Sequence, residues 1–340
     1  MMAIKAMLLA AAMALTLPAD AADAVEPAAH FDMKRPEIRR FIAHVAARNK
    51  LDAAELTAMI ARAVPQPKIL EAISKPAEKT SPWWQYRARF ITEQRIREGA
   101  EFWQQHRERL EQVEQQSGVD ASYVVAIIGV ETFYGRIAGN WRVLDALTTL
   151  AFDYPERGKF FRSELEQFVL LARDEKLDID NIRGSYAGAV GGGQFMPSSY
   201  RRYAIDGGGD GARNLFRDWD DVIASVANYF KAHGWRSGEP VLFEATADAE
   251  RIANLDPRNL EFTGNLGALR KSGVVIQGAD ALDSATQALL LPAELQDRPN
   301  VRVGLRNFQV ITRYNRSVRY AMAVHDLAVA VNERVQAPDL

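Results

Sequence analysis

With 340 residues, 48% of them apolar, the chain is long enough for one large domain or two to three small ones and can fill a core, which excludes a disordered polymer. Lysine and arginine number 42 against 44 acidic residues, a formal net charge of -2, so no basic field is available for nucleic acid or anionic lipid; the partner is neutral or recognised by shape. Cysteine is absent, which excludes a disulfide framework, a thiol nucleophile, a thiolate metal site and a cysteine-borne lipid anchor.

The chain opens on MMAIKAMLLAAAMALTLPADAADAVEP, with Lys5, an apolar run over 6–17, and then Ala19 and Ala21 around Asp20. This pattern predicts a secretory signal over 1–21, since the apolar run is shorter than the about 20 residues that a membrane anchor needs. A mature protein that is soluble and periplasmic is the expectation. Over 32–116 the apolar residues of PEIRRFIAHVAARN, DAAELTAMIARAV and TEQRIREGAEFWQQHRERLEQVEQ recur at helical spacing, and Pro65, Pro67, Pro76 and Pro82 punctuate the connections.

The segment SGVDASYVVAIIGVETFYGR predicts a buried helix, apolar on nearly every face, with Asp120 as N-cap and Gly135 as C′. Glu131 lies near its C-terminal end. Desolvation and the negative end of the helix dipole both favour a protonated carboxyl there, the form a glycosidase uses to protonate a leaving oxygen. The helix alone leaves a plainer alternative open, in which Glu131 is the first solvated residue at a helix end.

Next comes GSYAGAVGGGQFMPSSY, where Gly184, Gly188, Gly191, Gly192 and Gly193 surround Ser185, Gln194 and Met196 and let backbone approach a flat ligand. It is no phosphate loop: Gln194 and Phe195 stand where Lys and Ser or Thr are required, and no apolar strand precedes it. The histidines form no H-E-x-x-H pair and no serine lies in G-x-S-x-G, which argues against a metalloprotease or an α/β-hydrolase.

The stretch DGGGDGARNLFRDWDD looks like a modified EF-hand loop, with Asp206 and Asp210 at positions one and five and Gly211 at the sharp-turn position six. Gly208 at position three offers no side-chain oxygen, and Arg217 occupies position twelve. The competing reading is a glycine-rich turn whose aspartates cap local backbone. After Gly238, the runs PVLFEATA, SGVVIQG and NVRVGL predict a small sheet, and SVRYAMAVHDLAVAVNERV predicts a closing helix over 317–335.

The blocks PWWQYRARFIT, AIIGVETFYGR, LDALTTLAFDYPERGKFF, GSYAGAVGGGQFMPSSY, SVANYFKAHGW and ITRYNRSVRYAMAV cover most of the mature chain. In this order they resemble the MltB-type lytic transglycosylases of glycoside hydrolase family 103. The resemblance implies a mostly α (α+β) fold: a helical domain over 30–116, a lysozyme-like helical core over 117–238, a small β domain over 239–310 and a returning helix over 311–336. It also implies cleavage of the MurNAc-GlcNAc bond of peptidoglycan with no catalytic cofactor. Glu131 would protonate the glycosidic oxygen and then take the proton of the MurNAc C6 hydroxyl as a 1,6-anhydro ring closes.

By the same resemblance, cleft residues fall on Tyr86, Ser185, Gln194, Met196, Tyr229 and Tyr314, whose rings, hydroxyls and amide suit sugars. Tyr229 as ordinary core and Met196 as a gap-filler stay open. The family often has an aromatic where this chain has Gly192. A family metal loop would close on Asp221 and use the carbonyl of Ala212, with any calcium structural. Two other functions compete. A hydrolytic muramidase of the same fold would need a second carboxylate from Asp153, Glu156, Glu164 or Glu166, which read more simply as a turn and a solvated helix face; the other is a noncatalytic peptidoglycan-binding protein. Expected partners are glycan strands and cell-wall synthesis or remodelling proteins, not nucleic acid, and a monomer is expected because the cleft must admit a long polymer.

Overall fold

Residues 30–74 and 81–337 are described by the structure, a computed structural model; the predicted signal lies outside the described residues. Proline at the first turn, where its missing N–H is no loss, opens α1 (Pro36–Asn49). Asp52 N-caps α2 (Ala53–Ala61), and α3 (Pro67–Ser74) follows. After α4 (Trp83–Ala88), the long helical run divides at His106 into α5 (Glu93–Gln105) and α6 (Arg107–Ser117). Then come α7 (Ala121–Thr132), β1 (Trp141–Arg142), α8 (Val143–Asp153), α9 (Gly158–Asp174), β2 (Arg183–Gly184), α10 (Pro197–Tyr203) and α11 (Trp219–Ala232).

The C-terminal part holds β3 (Leu242–Thr246), α12 (Ala249–Ala253), β4 (Gly264–Asn265), α13 (Leu266–Lys271), β5 (Val275–Ile276), β6 (Gln287–Pro292) and β7 (Val301–Gly304), followed by α14 (Arg306–Tyr314) and α15 (Val318–Gln336). Its sheet runs β4-β6-β7-β3-β5, antiparallel throughout, while β1 and β2 pair separately. The three runs expected as strands carry β3, β5 and β7. β6 carried no strand signal, because every residue after Gln287 is buried and no alternation of apolar and polar side chains marks it.

All twelve residues of α7 are buried, and α5, α6, α11 and α15 pack around it. One apolar cluster extends from Phe31 to Val331 and includes residues on both sides of position 116. The first three helices join it through polar contacts as well: Arg35 to Asp153 at 2.7 Å, the Val64 N–H to Asp145 at 3.0 Å, and Asn49 to Glu166 at 2.8 Å. A second apolar cluster, with Leu266, Ile276, Leu290 and Val303, lies within the sheet region. Arg302 of β7 ties the two together by donating to Asp326 of α15 at 2.8 Å, and Asp326 also accepts from Arg87 of α4.

Ile127, fully buried in the middle of α7, tests this arrangement. Ile127→Ala should cost about 2–5 kcal/mol in urea unfolding through lost burial and an unfilled cavity. A cost below about 1 kcal/mol would show that α7 is not the packed centre.

Candidate active site at the end of helix α7

Helix α7 exists because a capping aspartate precedes an uninterrupted apolar run. The Asp120 carboxylate accepts from the Ser122 N–H at 2.8 Å, as expected. The C-terminus differs from the expectation. Phe133 (φ 51°) and Tyr134 (φ 57°) take left-handed conformations, so the helix ends at Thr132 and its left-handed cap falls two residues before Gly135. Local tertiary contacts hold this turn: Arg95 donates to the Gly129 carbonyl at 3.2 Å, its guanidinium sits 4.4 Å from the Phe133 ring centre, and the Tyr134 hydroxyl donates to the Arg95 carbonyl at 3.0 Å.

Glu131 is thereby fixed in the last turn with only 4% of its surface exposed. Its Oε1 accepts from the Tyr320 hydroxyl of α15 at 2.5 Å. Burial raises its pKa to about 8, against the smaller opposing effect of the Tyr320 hydrogen bond, which favours the carboxylate. The solvated alternative for Glu131 therefore fails. Tyr314 and Tyr320 have hydroxyl pKa values pushed well up, first by desolvation and then by the charge of Glu131, and Tyr86 adds to the effect on Tyr320. Tyr314 of α14 and Tyr320 of α15 thus flank one carboxyl, with Tyr86 of α4 near Tyr320.

The glycine-rich loop is pinned to the same helix end. Thr132 donates to the Gly192 carbonyl at 2.8 Å and accepts from the Gly135 N–H at 3.0 Å. Gln194, in a left-handed conformation (φ 51°), donates its side-chain amide to the carbonyls of Ala138 and Gly191, both at 3.1 Å. The Tyr314 hydroxyl donates to the Gly193 carbonyl at 2.6 Å, and a Cβ at Gly193 would stand 2.9 Å from that hydroxyl. Glycine is required there for the ring to approach.

The expected cleft residues divide by what they contact. Gln194, Tyr229 and Tyr314 are buried or half-buried around the loop, with the rings of Tyr229 and Tyr314 4.8 Å apart, and Tyr86 is buried on α4 against Trp83 and near Tyr320. Tyr229 donates its hydroxyl to the Arg313 carbonyl at 2.6 Å and stacks on His233, so its packing role is already large. Ser185 turns its hydroxyl oxygen to the N–H groups of Ala187 and Ala189, at 3.3 and 3.0 Å, and so shapes the loop. Met196 is half-buried as the N-cap of α10.

Two residues were not singled out from sequence. Tyr320 had one available signal, a lone polar aromatic on an apolar helix within ITRYNRSVRYAMAV. Trp219 had none. Its ring lies beside both Gly135 and Gly192, where added Cβ atoms would meet it at 2.7 and 2.8 Å, and it lines a cavity of ≈100 Å³ with them. The space beside Gly192 is therefore filled by an aromatic ring from α11.

The candidate second carboxylates are committed elsewhere. Asp153 pairs with Arg35, and Glu156 takes a hydrogen bond from Tyr154. Glu164 and Glu166 correct the expectation of a solvated face, being 4% and 7% exposed. Glu164 caps the start of α10 by accepting from the Ser198 N–H and hydroxyl at 3.0 and 2.7 Å, and Glu166 accepts from Asn49.

In the EF-hand-like loop, Asp206 accepts from the N–H groups of Gly209, Asp210 and Gly211, which hold its pKa below the usual carboxylate range. Asp210 accepts from the Ala212 N–H, and Asp221 accepts from those of Gly207, Gly208 and Asn214. Among the described residues no three His, Cys, Asp or Glu side chains converge on a metal position. The loop's expected side-chain oxygens come from Asp206, Asp210 and Asp221 and none from Gly208, so a calcium shell of six to eight oxygens would need backbone carbonyls and water to complete it.

Residues 33–329 match the model of the transglycosylase SLT domain family. The membrane-bound lytic murein transglycosylase B of Escherichia coli is 41% identical over 307 residues, 87% of this chain and 82% of that protein. The solved structure of soluble lytic transglycosylase SltB1 from Pseudomonas aeruginosa is 43% identical, with TM-score 0.83 over 89% of this chain and 100% of that one. The Escherichia coli Slt35 structure in complex with calcium is 39% identical, with TM-score 0.82 over 91% and 96% of the two chains. These likenesses bear out the mostly α, lysozyme-like fold. The chain belongs to the transglycosylase SLT domain family and is a lytic transglycosylase acting on peptidoglycan.

Proposed function

We propose that the enzyme cuts the MurNAc-GlcNAc β-1,4 bond and leaves a 1,6-anhydro-MurNAc end, with Glu131 as the single acid and base. The observation that carries this reading is a carboxyl buried at the end of an apolar helix, its pKa raised to about 8. It is protonated at neutral pH and can give its proton to the glycosidic oxygen as the C1–O4 bond breaks. The resulting carboxylate then takes the proton of the C6 hydroxyl, whose oxygen bonds to C1. Glu131 ends as it began, and no water is consumed. The alternative carboxylates are engaged by Arg35, Tyr154, Ser198 and Asn49, which favours this scheme over a two-carboxylate muramidase.

No step involves a metal. The self-capped loop over 206–221 and the absence of a side-chain oxygen at Gly208 support weak calcium binding at most. The sequence pattern of residues 1–21 supports a periplasmic enzyme released from its signal.

Glu131→Gln should fold and bind glycan but lose at least about 10⁴ in turnover of sacculi, because the amide has no acidic proton to transfer. Amides at Asp153, Glu156 or Glu164 should cost far less. Mass spectrometry of the wild-type digest should find anhydro ends. Reducing ends, or an equal loss at one of the other three, would favour the muramidase, and no products would favour a binding protein.

Millimolar calcium should raise the melting temperature by less than about 2 °C. Gly208→Asp, whose Cβ would meet only Asp218 Oδ2 at 3.6 Å, should enlarge that shift; a large wild-type shift would contradict the weak-site reading. Cell fractionation of the native host should recover the protein in the periplasmic fraction, and recovery in membranes would overturn the localisation.

A further inference from the structure

A groove of ≈450 Å³ is lined by α1 and α9 and shares no lining residue with the Glu131 site. Along α1 it carries Arg40, His44 and Arg48, which stand four residues apart on one face and span about 12 Å. From α9 come Lys159 and Arg162, and the buried Phe41 lies at the floor. Most of these cations lack a protein partner. Arg40, His44 and Lys159 make no side-chain hydrogen bond or ion pair among the described residues. Arg40 acts on Glu37 only through its charge, because Arg35 already donates to that carboxylate at 2.7 Å. Arg48 stands 3.9 Å from Glu166, which already accepts from Asn49 at 2.8 Å, and Arg162 commits one nitrogen to the Ala151 carbonyl at 2.8 Å.

Four arginines and lysines against Glu37 and Glu166 leave the groove with a formal charge of +2, in a chain whose total is -2. Like charges four residues apart on a helix repel, and an anionic occupant removes that cost. The cations are strung along two rims instead of converging on one point, which suits several carboxylates and not a single anion. A concave groove does not meet a flat bilayer. Glu37 and Glu166 repel a chain that is anionic at every unit, but tolerate one in which acidic side chains are interleaved with apolar ones, as in an amphipathic helix laid into a groove.

We propose that the groove between α1 and α9 docks an acidic, amphipathic segment of a partner protein. Fluorescence anisotropy with a labelled helical peptide of interleaved Glu and Leu tests it. At low salt the peptide should bind saturably with a Kd on the order of 10 μM, weakening about tenfold at roughly 0.5 M salt. Arg40→Gln combined with Lys159→Gln should weaken binding about tenfold. Arg48→Gln alone should weaken it about threefold, and decides if the double variant does not fold. The matched pair Arg258→Gln with Lys271→Gln, exposed in the sheet region, should leave binding unchanged. Arg40, Arg48 and Lys159 are exposed and outside the cleft, so sacculus digestion should stay at the wild-type rate and report that the variants are folded. No saturable binding by the wild type, equal affinity in the groove variants, or an equal loss in the matched pair overturns the proposal. So does displacement of the peptide by inorganic phosphate or by phosphatidylglycerol vesicles at lower concentration than by unlabelled peptide, which would assign the groove to a phosphate group.

Discussion

A carboxyl group placed in apolar surroundings must either find compensating charge or keep its proton, and Glu131 keeps its proton. Twelve consecutive buried residues in α7 leave it no cation, and the one hydrogen bond that favours its charged form, from Tyr320, is too weak to offset desolvation. The helix C-terminus works in the same direction. This constraint has a stability consequence. Below about pH 4.5 the carboxyl is protonated in the folded and unfolded chains alike, and its contribution is fully present. Between about 4.5 and 8 the unfolded chain releases the proton while the folded one retains it, so stability falls by about 1.4 kcal/mol per pH unit across that window.

Much of the remaining structure keeps that carboxyl dry on one side while leaving backbone and rings on the other. Thr132, Gln194 and Tyr314 each tie the glycine-rich loop down by a hydrogen bond to a carbonyl, so its shape is set by the helix end and by α14. The last helix closes the site from behind with Tyr320 and reaches the sheet through Asp326. The small sheet is therefore coupled to the helix that carries Tyr320 through the Arg302, Asp326 and Arg87 group, whose charges depend on one another.

The helix bearing Glu131 was legible in sequence because its cap and apolar run are local features, and so was the glycine-rich loop. Its end was misjudged by two residues, since Phe133 and Tyr134 are held in left-handed conformations by Arg95, a contact 38 residues away in the chain in the case of Phe133 (133 - 95). Glu164 and Glu166 looked solvated because helical spacing says which residues share a face but not that α1 and α10 cover it. β6 lacked alternation because it is buried on both sides. Trp219 filling the space beside Gly192 is a long-range fit that no local pattern records.

On this structure Glu131 is a neutral acid at physiological pH. Carbon-13 NMR of protein labelled at glutamate side-chain carboxyls, with Glu131→Gln used to assign the resonance, reads that protonation directly. The Glu131 carboxyl should titrate with a midpoint near pH 8. A midpoint in the ordinary glutamate range, about 4 to 5, would contradict it.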